Sequence, residues 1–175
     1  MSEDYNPSAL EYRMYFLVPY NISPIQQGIQ ALHAAIEYAM ENIKSPEFQK
    51  WAKSDKTVIL LNGRTFNDSD VNPGTMNTAL KRLLKEGVQL ATFREPDLNN
   101  GLSAIAFLVD ERVFNKEKYP YPVAILGANE EGASIAIKIA PRVPEEYWTH
   151  AQLQEVVGGY KNAFLRGFLQ DYRLA

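Results

Sequence analysis

An apolar run, Met14-Tyr15-Phe16-Leu17-Val18, leads within a few residues into Ser23-Pro24 and a helical stretch that continues to Met40. Ser23 offers a side-chain oxygen to the unpaired N–H groups of a first helical turn. Pro24 stands where a missing N–H costs nothing. A buried strand feeding a capped helix restricts the chain to α/β arrangements. Gln26, Gln30 and His33, spaced by four and three, share one helical face near the N-terminal end. Ile25, Ile29, Leu32 and Ile36 fall on the other side and are expected to be the packing stripe. Open α/β folds place ligands at such strand-to-helix mouths.

The rest of the chain continues that alternation. Residues 47–51 read as a short helical turn pinned by Phe48 and Trp51. Residues 56–61 form a second strand, too continuously apolar to be half-exposed. Turn formers fill residues 67–74. A second helix is predicted over residues 75–86, with Met76, Leu80, Leu83 and Leu84 inward and Gly87 as its stop. Strands over 88–93 and 102–109 flank a polar loop at 94–101. The order β-α-β-α-β-β predicts an α/β fold: a mixed, mostly parallel sheet of about four strands with helices on both faces. Beyond it, Tyr119-Pro120-Tyr121-Pro122 punctuates the chain. Strands follow over 123–127 and 134–140. A long last helix then runs from Thr149 or His150 to about Tyr172, burying Leu153, Val156, Val157, Tyr160, Phe164, Leu165 and Phe168. The expected divisions are a loose tail over 1–11, a core over 12–114 and an extension over 115–175. The extension would pack on the core or form an oligomer interface.

Composition narrows the chemistry. A length of 175 residues suits a single domain with a real core. The chain has no cysteine, which excludes disulfides and thiolate nucleophiles and fits a cytoplasmic protein. The net charge of −3 means that binding nucleic acid would require a local basic patch, for which Arg13, Lys53, Lys56 and Arg94 are the candidates. No long apolar run predicts a membrane span. His33 and His150 lack a clustered third ligand, so no metal is expected, and Gly127 to Gly132 lacks the lysine of a phosphate loop.

Each candidate has a functional and a structural reading. His33 would serve as general base or as donor to a substrate carbonyl, or would bond a neighbouring loop. Gln30 and Gln26 would present amides to a nucleotide, or stay solvated. Glu95 and Asp97 flank Pro96, whose stiff backbone would aim two carboxylates at His33 or at a water. Alternatively they cap the turn that follows. Arg94 would meet a phosphate or pair with a surface acid such as Glu11. Ser103 is either a contact to substrate or a strand hydroxyl satisfied in the core.

Taken in order, these segments resemble the type 2 peptidyl-tRNA hydrolases. That family follows its first strand with a glycine-containing turn and Ala-Gln-x-x-His-Ala, similar to Gly28-Ile29-Gln30-Ala31-Leu32-His33-Ala34-Ala35 here. A Trp-containing segment (Phe48-Gln49-Lys50-Trp51) and a valine-rich strand (residues 57–61) come next. A glycine-ended helix (Lys85-Glu86-Gly87-Val88), an acidic strand end (Phe93-Arg94-Glu95-Pro96-Asp97) and a threonine-like Ser103 complete the match. The likeness spans about residues 12–113. It implies hydrolysis of the ester between peptide and tRNA, with His33, Glu95 and Asp97 catalytic and Gln26, Gln30, Arg94 and Ser103 on the tRNA 3′ end. No cofactor is implied. The family's helix-one lysine has no counterpart in residues 22–30, where Gln26 or Gln27 stands instead. That departure implies the alternative: a lapsed relative that sequesters a small nucleotide-derived ligand, as a phage counter-defence protein would. A homodimer through the C-terminal helix is the oligomer expected.

Overall fold

The computed structural model describes residues 9–65, 68–69, 72–120, 124–128, 134–137 and 156–175. They fall into two compact units, one taking the chain to Glu111 together with Tyr172–Ala175, the other being Arg112–Asp171.

The first unit is built in chain order from β1 (Tyr12–Pro19), α1 (Pro24–Asn42), α2 (Pro46–Lys50) with a following π-turn (Trp51–Asp55), and β2 (Thr57–Arg64). A two-residue ladder of β3 (Asp68–Ser69) and β4 (Asn72–Pro73) precedes α3 (Thr75–Lys85), β5 (Leu90–Glu95) and β6 (Gly101–Asp110). The expected α/β fold with a four-stranded mixed sheet is present, in the order β2-β1-β6-β5, but one of its three pairings is parallel rather than most, because β5 and β6 join as a hairpin. β1 pairs parallel with β2, because the crossover through α1 and α2 returns the chain to the same end. The β1–β6 and β5–β6 pairings are antiparallel. β1 sits inside the sheet and is buried on both faces, as its unbroken apolar run predicted.

Three expectations about burial are corrected. The first concerns α1, whose inward residues are Gln30, Ala31, Ala34, Tyr38 and Asn42, while Ile25, Ile29, Leu32 and Ile36 face outward. Ala31 and Ala34 pack with Ala91, Ala104 and Ala106 of the sheet and with Met14, Phe16 and Val18 of β1. Alanine against alanine lets the helix lie close to the strands, where a row of isoleucines would hold it away. The second concerns β2, an edge strand with Val58 exposed. Its outer side carries the C-terminal residues: Leu61 bridges Leu174, the Asn62 amide donates to the Arg173 carbonyl (2.8 Å), and the Ala175 amide donates to the Leu60 carbonyl (3.0 Å). A short apolar run fits an edge as well as a centre. In the third, α3 buries Met76, Asn77, Ala79 and Leu83 but exposes Leu84. α3 lies on the face opposite α1, where a Cβ on Gly63 would collide with the Met76 sulfur and come within 3.4 Å of the Leu17 Cβ. Gly87, at φ +65°, stops the chain after α3 as expected.

The Trp-containing segment is pinned as anticipated. Phe48 is buried, and the Trp51 indole donates to the Thr57 carbonyl at 2.9 Å. Asp55 pairs with Lys50 and accepts the Tyr12 amide at 2.9 Å, tying the π-turn to the start of β1.

Tyr38 lies beneath α1 in the same cluster, and its hydroxyl pKa is pushed up to about 12, first by burial and then by the negative charges of Glu47 and Glu41. The unfolded chain would ionise this group near pH 10 while the folded chain keeps its proton. Stability should therefore fall between about pH 10 and 12 by up to about 1.4 kcal/mol per pH unit from this residue. Urea unfolding of wild type and Tyr38→Phe across that range checks it, since the variant should lose this part of the slope.

The second unit contains α4 (Glu111–Phe114, whose first residue closes the first unit), a β7 (Ala124–Ala128) and β8 (Ser134–Ile137) hairpin, and α5 (Tyr160–Phe168). Arg166 is buried and its Nε donates to the Arg112 carbonyl at 2.8 Å. Asn162 donates to the Val157 carbonyl at 2.6 Å. The expected unbroken last helix is corrected. Val156 and Val157 are helical, but Gly158 (φ +80°) and Gly159 (φ +106°) take left-handed backbone and interrupt it before Tyr160. Val157, Leu165 and Phe168 are buried, whereas Tyr160 is exposed. The expected helix start at Thr149 or His150, with Leu153, lies outside the described residues, as do residues 123, 129–132 and 138–140.

Candidate functional site

α1 crosses β5 and β6 with its first turns at the strand ends that carry Glu95 and Ser103. Ser103 is fully buried on β6, and its hydroxyl donates to the Gln30 side-chain oxygen at 2.6 Å, with the Phe93 carbonyl as a second acceptor at 3.2 Å. The Gln30 amide nitrogen in turn donates to Glu95 Oε2 at 2.6 Å. The other oxygen, Oε1, faces the Asp97 amide at 3.5 Å and caps the single 3₁₀ turn Pro96–Leu98. Both Glu95 oxygens are thus engaged, one by a rigid relay that reaches into the core.

His33 stands one helical turn beyond Gln30. Its ring stacks on Phe93, with centroids 4.3 Å apart and planes 16° apart, and it remains exposed. Among the described residues no hydrogen bond reaches the imidazole. Gln30, Glu95 and Ser103 are therefore brought together, with His33 beside them against Phe93, but among the described residues no carboxylate orients the histidine. No protein-family model and no curated protein matches this chain.

The other sequence candidates have structural employment. Gln26 completes a capping box: its Oε1 accepts from the Ser23 amide at 3.1 Å, and the Ser23 hydroxyl accepts from the Gln26 amide at 3.3 Å. Arg94 turns toward α3, donating to the Asn100 carbonyl at 3.1 Å and to Asn77 Oδ1 at 3.5 Å. Glu11 pairs with Arg13, at 2.8 Å, as an exposed contact of small worth. Asp97 is exposed on the turn. Phe93 was not picked out from sequence. Its position two residues before Glu95 on the same strand was the available signal, since alternate strand residues share a face.

An oriented carboxylate next to an exposed imidazole on a phenyl ring can accept N–H donors and stack a planar group. Among the described residues, no group of three His, Asp or Glu side chains is placed to hold a metal ion.

Proposed function

We propose that this chain is a nucleotide-binding module built on the plan of the type 2 peptidyl-tRNA hydrolases, taking the base of a small nucleotide-derived ligand without turning it over. The observation that carries this reading is the Glu95 carboxylate clamped by Gln30 beside the His33–Phe93 stack. A fixed carboxylate accepts adjacent N–H groups of a guanine-type edge. Stacking a base on the outer face of His33 adds on the order of 1–3 kcal/mol. Ester hydrolysis asks for more. A general base needs an orienting partner, and a developing oxyanion needs a donor or a cation. His33 has no such partner among the described residues, and the first turns of α1 offer Gln26 and Gln27 in place of a lysine. Hydrolysis of peptidyl-tRNA keeps one support, the aimed carboxylate, and the same experiment separates the two.

Isothermal titration should give stoichiometric binding of guanosine monophosphate and weaker binding of adenosine monophosphate, whose edge lacks the adjacent N–H pair, with guanosine affinity reduced about tenfold or more in Glu95→Gln and in His33→Ala. Incubation with N-blocked aminoacyl-tRNA, at protein far below substrate, should release no amino acid beyond one equivalent. Multiple turnovers lost in His33→Ala would replace this reading with the hydrolase. Absence of both binding and turnover would remove the site from consideration.

A further inference from the structure

The apolar residues of α1 that do not meet the sheet form a continuous outer stripe: Ile25, Ile29, Leu32, Ile36 and Met40, extended by Ile43 at the C-cap. They are 77, 45, 60, 49, 74 and 61% exposed, in that order. Steps of four and three from Ile25 to Ile36, then seven to Ile43, follow the 3.5-residue repeat of a helix–helix seam. Together the six side chains leave on the order of 700 Å² of apolar surface in water, more than one patch on a typical monomer. A stable interface takes roughly 800 Å² from each partner.

We infer that this face binds a second copy of the chain, α1 against α1 and antiparallel about a two-fold axis. The stripe is self-complementary in that direction. A two-fold placed midway between Leu32 and Ile36 sets Leu32 opposite the partner's Ile36 and Ile25 opposite the partner's Ile43. It also sets Met40, the bulkiest exposed side chain of the row, opposite the partner's Gly28. Around Gly28 the space that a Cβ would enter holds no atom within 4 Å. An isologous contact requires this kind of matching. The electrostatics agree. Gln26, Gly28, His33 and Ala35 flank the seam without fixed charge, and Glu37 and Glu41 fall level with the partner's Ala31 and Gln27, away from each other. A membrane surface would call for lysine or arginine along the helix, and α1 contains neither. His33 borders both this seam and the proposed ligand site, but the dimer rests on the apolar stripe and not on the ligand reading.

Sedimentation equilibrium of the full chain should give a dimer at about 100 μM, and Leu32→Glu should raise the dissociation constant at least about 100-fold. Because Leu32 is exposed in the protomer, that variant should keep its circular dichroism and cooperative unfolding. The chain has no cysteine, so introduced thiols report cleanly. A mixture of Leu32→Cys and Ile36→Cys chains should oxidise to a cross-linked dimer, while a mixture of Ile25→Cys and Ile29→Cys chains should not. A wild-type monomer at that concentration overturns the inference, and so does a dimer indifferent to Leu32→Glu. Self-cross-linking of Ile25→Cys alone would mean a parallel pair. Unfolding of Leu32→Glu would mean that the chain covers its own stripe. Either result sinks the antiparallel dimer.

Discussion

Ala34→Leu should destabilise the protein by about 1–3 kcal/mol, whereas Leu32→Ser, two residues earlier, should stay within about 0.5 kcal/mol of wild type. Hydrophobicity alone would rank these the other way. Ala34 is fully buried in a cluster with Ala91, Ala104 and Ala106. That packing has no slack for three further carbons, so α1 must lift from β5 and β6 or the new side chain must leave its rotamer well. Leu32 is 60% exposed, and its loss gives up little protomer packing. Urea unfolding at concentrations low enough to keep the chain monomeric measures both. A costly Leu32→Ser with a tolerated Ala34→Leu would mean that α1 presents its other face to the sheet.

The same pair of residues explains how much was legible beforehand. Ser23-Pro24 after an apolar run announced the strand, the helix and its cap, and the capping box at Ser23 and Gln26 is what that signal describes. Gly87 marked the end of α3 for the same local reason. Local chemistry is written in neighbouring residues. Which side of α1 faces inward is not local. It depends on the sheet having alanines at 91, 104 and 106, so that small residues of the helix meet small residues of strands far along the chain. Position in the sheet was equally hidden: residues 57–61 read the same whether a further strand lies beyond them or only the C-terminal residues do. At the site, Gln30, Glu95 and Ser103 were each recognisable as candidates. Their connection, with Gln30 as the link between a buried hydroxyl and a carboxylate, required the α1–β5–β6 packing that only the fold supplies. The helix break before Tyr160 was written locally, in Gly158-Gly159, but an apolar pattern running through both glycines masked it.

That relay leads to the second large effect. Ser103→Ala should cost about 1–3 kcal/mol, because it strips the donor from a Gln30 oxygen held out of water in a side chain only 6% exposed. Gln30→Leu should cost less in stability, since the Ser103 hydroxyl retains the Phe93 carbonyl as acceptor. It should nevertheless weaken binding at Glu95 about as much as Glu95→Gln does, because the carboxylate loses its tether. The double variant Ser103→Ala/Gln30→Leu removes the stranded oxygen together with its missing donor, so it should unfold at higher urea than Ser103→Ala alone. A double-mutant cycle by urea unfolding reads this directly, with an expected coupling of about 0.5–2 kcal/mol. Strict additivity would mean that Ser103 and Gln30 act independently, and the clamp on Glu95 would then need another origin.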